Sequence, residues 1–143
     1  ALGAFISSAV PGRIVNVSSV RGIASFPDGF AYEAAKGAVE QMTRSIAVQY
    51  GHLGIRCNAV RPGVILTPLA ERMDIGDAPD REARLREIGE MHPLERRIIM
   101  PDEVAAAIAF LLSDDASAIS GAALNVDAAM TARCFPFPVS DDI

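Results

Sequence analysis

"GRIVNVSSVRGIASFPDGFAYEAAKGAVEQMTRSIAVQYGHLGIRCNAV", residues 12–60, reads as a strand, a helix and a second strand, and that order decides the fold. Its opening, "GRIVNVSS" (12–19), is a β-branched apolar run entered through Pro-Gly and left through serines, as a short buried strand is. "VRGIASFPDG" (20–29) is loop-like, with Gly22, Pro27 and Gly29 as punctuation. From about Phe30 to Tyr50 the chain carries helix formers. Ala35, Val39, Met42, Ile46 and Tyr50 recur at three to four residues and predict an amphipathic stripe of the kind that faces a core. Gly51 and Gly54 stop that helix, and "IRCNAV" (55–60) is a second buried strand.

Working outward, "RPGVILTPL" (61–69) reads as a turn leading away from the second strand. Residues 70–100 are the most charged part and predict a helix between exposed loops. "PDEVAAAIAFLL" (101–112) predicts a helix with Pro101 in its first position, acids in its first turn, and Val104, Ile108, Leu111 and Leu112 buried. "GAALNVDA" (121–128) follows a "SDDAS" break as a third strand, and the end of the chain has no periodic pattern. Strands alternating with helices require parallel pairing through crossovers. The expected fold class is therefore α/β, an open parallel sheet of about three strands with flanking helices. No G-x-G-x-x-G or T-G-x-x-x-G-x-G fingerprint occurs.

The 143 residues suffice for one domain, and a mean hydropathy of +0.26 argues for a folded core rather than disorder. A net charge of −5 and a pI near 4.9 argue against nucleic acid or an anionic membrane surface as partner. The longest apolar run, Val104 to Leu112, falls far short of the roughly 20 residues of a membrane span. No basic segment precedes the apolar opening "ALGAFISSAVPG", so no signal peptide is read. Cys57 and Cys134 show neither disulfide nor metal-ligand spacing; two free thiols in a reducing cytoplasm are expected, and no metal.

Of the thirteen Lys and Arg residues, Lys36 is the single lysine, and it lies four positions after Tyr32, one of two tyrosines. On a helix, residues i and i+4 project side by side. An ammonium beside a phenol favours the phenolate, so the tyrosine can pass a proton to or from a carbonyl or alcohol oxygen. Lysine suits that place as a compact point charge with rotating donors, where arginine is a wide planar fork. Such pairs also decorate solvated helices. Ser19 precedes Tyr32 by thirteen positions (32 − 19) and stands where the strand "GRIVNVSS" ends. The loop beyond a strand's C-terminal end is where α/β sheets bind ligands. A turn or cap is the other reading of Ser18-Ser19.

Taken together, "GRIVNVSSVRG", Y-x-x-x-K at 32–36 and N-x-V-x-P-G-x-I-x-T at 58–67 resemble the catalytic half of the short-chain dehydrogenase/reductase family. The likeness continues through "HPLERR", "PDEVAAAIAFLLSDDAS" and "SGAALNVD" to about Thr131, and it implies the C-terminal catalytic portion, at 1–131, of a Rossmann-like, doubly wound parallel sheet, with an irregular tail at 132–143. The resemblance implies NAD or NADP as cofactor and hydride transfer to or from a small carbonyl or secondary alcohol. Ser19 would polarise the substrate carbonyl, Tyr32 would be the general acid/base, and Lys36 would tune Tyr32 and bond the nicotinamide ribose. Pro62 and Gly63 would turn the chain past the nicotinamide, Ile65 would meet its carboxamide through backbone, and Thr67 would reach the carboxamide or pyrophosphate. For Asn58, support of the active-site loop and plain backbone satisfaction both stand open.

The resemblance further implies a homodimer or homotetramer formed through the Y-x-x-x-K helix and the last helix and strand. The family's phosphate-binding glycine loop and its asparagine on the preceding helix are missing from these residues. The chain is thus read as truncated, exposing an unpaired strand edge, binding dinucleotide weakly or not at all and inactive by itself. Two alternatives remain: a non-catalytic fragment that serves only association, and a nucleotide-sugar epimerase or dehydratase, which also carries Y-x-x-x-K.

Overall fold

The computed structural model describes residues 2–27 and 29–133. Three parallel strands, β1 (Arg13–Val17), β2 (Arg56–Pro62) and β3 (Ala123–Val126), form one sheet in the order β1-β2-β3. The helix α1 (Leu2–Ser8) precedes β1, α2 (Phe30–Tyr50) links β1 to β2, and α5 (Pro101–Leu112) precedes β3. Between β2 and α5 run one helical turn, α3 (Pro68–Ala70), a π-helical turn (Glu71–Ile75) and the helix α4 (Arg81–Gly89). β2 is the central strand and the most buried; Cys57, Asn58, Ala59 and Val60 are inaccessible. β1 pairs on one side only, and Val17 is half-exposed. Of the expected tail at 132–143, residues 134–143, Cys134 among them, lie outside the described residues.

Strand alternation sorts the two helical layers. Val15, Val60 and Val126 pack with Val104, Leu111 and half-buried Ile108 of α5. Asn16, Ser18 and Arg61, offset by one residue, hydrogen-bond to side chains of α2 on the other face. The result is a three-layer α/β/α sandwich. The α5 start follows from Pro101 at the first helical position, with Glu103 accepting the Met100 amide at 2.8 Å. After α2 the chain makes a 3-10 turn, Gly51–Leu53, and ends in Gly54 at φ 74°, a left-handed conformation that favours glycine.

Two expectations need correction. The stripe Ala35-Val39-Met42-Ile46-Tyr50 is not the buried face of α2: Glu40 and Thr43 are buried, whereas Ala35 and Met42 are exposed. The sheet face beneath α2 presents polar side chains, and polar partners are drawn to it. On α5, Leu112 is exposed while Val104 and Leu111 carry the contact. Residues 70–100 do hold a helix between loops, α4, whose start follows Gly76 at φ 57° and is capped by Asp80 accepting the Ala83 amide at 2.9 Å.

Candidate active site

The C-terminal ends of β1 and β2 open on the same edge of the sheet. Val17 and Val60 are paired, and the Ser18 amide donates to the Val60 carbonyl at 2.9 Å. Residues 18–19 and 62–67 therefore leave the sheet side by side.

Alternation separates the two serines. Ser18 turns under α2, where its hydroxyl lies 3.0 Å from Glu40 Oε1 and 3.2 Å from the Lys36 carbonyl. Ser19 opens the 3-10 turn Val20–Gly22 and its Oγ accepts the Arg21 amide at 3.2 Å. The cap reading of Ser19 is thus correct, and it leaves the hydroxyl proton free for another acceptor, because a hydroxyl donates and accepts at once.

Tyr32 lies in the first turn of α2 and is 37% exposed. Lys36 Nζ stands 5.4 Å from the centroid of its ring and donates to the Val17 carbonyl at 2.9 Å. That bond ties the Tyr32–Lys36 face of the helix to the strand end from which Ser19 follows two residues later. The three residues singled out in the sequence thus gather at one edge of the sheet.

Sequence reasoning missed four neighbours, Arg21, Glu33, Glu40 and Arg61. The Arg21 guanidinium is 5.5 Å from the Tyr32 centroid and 5.2 Å from that of Phe26, and pairs with Glu33 at 3.2 Å. Glu33 also accepts the Phe26 amide at 2.7 Å; that bond, with Arg21, holds its carboxyl below the usual range. Arg21 Nε is buried and has no hydrogen-bond partner among the described residues. Behind Lys36, Glu40 receives Arg61 through two bonds, Nε–Oε1 at 2.7 Å and Nη2–Oε2 at 2.5 Å. This bond to Arg61, aided by Ser18, keeps the Glu40 carboxyl below its ordinary range. The signals were present: a cation two residues after Ser19, and an acid one helical turn after Lys36 on the same face.

In the second segment, Pro62 ends β2, Ile65 bridges Ile99 in parallel fashion, and Thr67 Oγ1 accepts the Ala70 amide at 3.3 Å as the cap of α3. Gly63 admits no side chain, since a Cβ there would lie 2.7 Å from His92 Nε2. Asn58 is inaccessible and uses its amide on backbone, donating to Ile119 at 2.8 Å and accepting from Ala122 at 3.1 Å. It holds the loop entering β3, so the backbone reading of Asn58 prevails. Among the described residues no group of His, Cys, Asp and Glu is arranged to hold a metal, and no helix is long and apolar enough to cross a membrane.

A family model described as enoyl-(acyl carrier protein) reductase matches residues 3–131. The chain belongs to the short-chain dehydrogenase/reductase family. It is 43% identical over 123 residues to 2-(R)-hydroxypropyl-CoM dehydrogenase of Xanthobacter autotrophicus, covering 85% of this chain and 46% of that protein. The crystal structure of levodione reductase superposes with a TM-score of 0.83 at 36% identity, over 92% of this chain and 50% of that one. A 4-hydroxyisoleucine dehydrogenase mutant complexed with NADH and succinate gives 0.82 at 31% identity, over 92% and 52%. The chain spans about half the length of the curated relatives it matches.

Proposed function

We propose that this chain is the catalytic portion of an NAD(P)-dependent oxidoreductase that interconverts a small carbonyl compound and its secondary alcohol. One observation carries the reading: Lys36 Nζ stands beside the Tyr32 ring while bonded to the strand end that leads into Ser19. The names of the relatives and the NADH held by 4-hydroxyisoleucine dehydrogenase support it.

The residues fit a nicotinamide dinucleotide. The bond to Val17 takes one of the three Lys36 protons, and an ammonium suits ribose hydroxyls. Pro62, Gly63, Ile65 and Thr67, at the adjoining strand end, would hold the nicotinamide side. NAD or NADP supplies the hydride chemistry when bound. In reduction, Ser19 donates a hydrogen bond to the carbonyl oxygen and fixes its position. Tyr32 gives its phenolic proton to that oxygen as negative charge develops, and Lys36 stabilises the phenolate left behind. Oxidation runs the same proton backwards.

The exposed apolar side chains Met42 and Val48 of α2, with Phe110 of α5, support self-association as a homodimer or homotetramer.

The test is reduction of a panel of small ketones with NADH and NADPH by the full-length protein containing this chain. Tyr32→Phe is expected to lower kcat/KM by about 10²–10⁴ with the fold intact by circular dichroism. Undiminished turnover in Tyr32→Phe would overturn the proton-transfer role. Self-association with no turnover on any substrate would leave association as the activity.

A further inference from the structure

His92 belongs to none of the roles above, yet it is completely buried, and the turn at 63–64 lies against its ring. Its two nitrogens face partners of opposite kind. Nδ1 lies 3.1 Å from the Ile88 carbonyl at the end of α4, and Nε2 lies 3.2 Å from the Val64 amide nitrogen. A carbonyl only accepts and an amide N–H only donates, so the imidazole is neutral, with its proton on Nδ1. One residue thus joins α4 to the segment that follows β2.

We propose that His92 is a proton-sensitive latch that positions the turn 62–67. Protonation leaves the bond to Ile88 unchanged but places an N–H on Nε2, directly against the Val64 N–H. Two donors then face each other, and the turn is the side that must give way. Gly63 is what allows the backbone to come so close that this polarity decides the fit. The turn keeps its backbone ties: the Ile99 amide donates to the Val64 carbonyl at 3.2 Å and the Leu66 amide to Ile99 at 2.9 Å. Release is therefore local, a loosening around Val64 rather than loss of the sheet.

The surrounding charges are few. Asp127, buried after β3, favours the charged imidazolium, but its carboxylate already receives the Ala129 and Thr131 amides and the Thr131 hydroxyl. Arg97 opposes it and is itself engaged by Glu95 and Glu103. Burial outweighs the Ile88 bond and Asp127, which favour the charged ring, and together with Arg97 holds its titration below the ordinary 6.5. The latch is closed at neutral pH and opens only as the pH falls below the ring's ordinary 6.5. Its value for turnover rests on the reading that residues 62–67 hold the nicotinamide.

The experiment follows the Val64 backbone amide by NMR as pH is lowered, beside the His92 ring signals and a circular dichroism record of the fold. In the wild-type chain, Val64 exchange protection is expected to fall about tenfold with the ring's own midpoint, while the sheet amides stay protected. His92→Gln, an uncharged acceptor of similar reach, keeps Val64 protected throughout. His92→Leu, which fills the space without accepting, lowers it at every pH.

A ring that titrates while Val64 stays protected, or unfolding of the whole chain at that midpoint, would overturn the latch, as would unchanged Val64 protection in His92→Leu. In the full-length protein, KM for the nicotinamide cofactor is then expected to rise in acid for wild type and not for His92→Gln. A Val64 response without that KM response leaves the latch standing and removes the turn from the cofactor site.

Discussion

Against the sheet face covered by α5 lie Val15, Val60 and Val126, met by Val104 and Leu111. Against the face covered by α2 lie Asn16, Ser18 and Arg61, met by Thr43 and Glu40, with Asn125 of β3 bonded to Arg61 at 3.2 Å. The first face is held by burial, which is non-directional and tolerates sliding. The second is held by bonds of fixed length and direction that run from β1 through α2 to β2 and β3. A helix that must present Tyr32 and Lys36 to one strand end needs its rotation and register set, and the polar face sets both. Ser18 bonds the backbone of Lys36 itself, which carries that setting to the candidate site.

The largest effect expected on the polar face comes from breaking its centre. Glu40 is 3% exposed and the Arg61 side chain 17%. In Glu40→Ala, Arg61 loses its carboxylate and the Ser18 hydroxyl its acceptor, a cost of about 3 kcal/mol in urea unfolding. Replacing both partners, Glu40→Met with Arg61→Met, is expected to recover most of that, because no charge is left without its partner. Equal losses in the single and double variants would show that the face is packed like its opposite rather than networked.

Acid should separate the two faces next. The Glu40 carboxyl is held below its ordinary 4.5, first by the Arg61 bond and then by Ser18. Its contribution is therefore complete above pH 4.5 and is lost as pH falls through that value toward the folded one, where the native carboxylate must take up a proton. Glu40→Gln removes that part of the slope, so wild type and variant should converge in stability as the medium becomes more acid. Nothing on the α5 face titrates among the residues of its core cluster. Parallel curves for the two proteins would place the acid response elsewhere.

How far the sequence could be read follows the same division. Apolar periodicity with Pro101 and the first-turn acids located α5 at Pro101–Leu112, and helix formers between glycines located α2 at Phe30–Tyr50. The same periodicity misjudged which face of α2 is buried, because it weighs only apolar residues and the inward face is Glu40 and Thr43. The helix expected within 70–100 is α4, and its start is marked by Gly76 and Asp80, turn and cap signals that precede Arg81. Ser19, Tyr32 and Lys36 were legible since helical spacing and a strand end place them without knowledge of long-range contacts. Glu40 with Arg61, and His92 with Val64, meet across 21 and 28 positions, and no local pattern pairs them.

The smallest effect tests the rim of the polar face. Thr43 Oγ1 accepts from Asn16 Nδ2 at 2.9 Å and donates to the Val39 carbonyl at 2.8 Å within its own helix. Thr43→Val keeps the shape and the χ1 preference but removes the acceptor, leaving Asn16 with the Cys57 sulfur at 3.6 Å, a weaker partner. The Val39 carbonyl remains part of the helix ladder, so only the Asn16 bond is lost in substance. The expected loss is about 1 kcal/mol in urea unfolding. Thr43→Ser, which keeps the hydroxyl and drops a methyl, separates hydrogen bonding from packing. If the serine variant is the weaker of the two, Thr43 acts chiefly through its methyl group, and the polar face ends at Glu40 instead of reaching along the helix to β1.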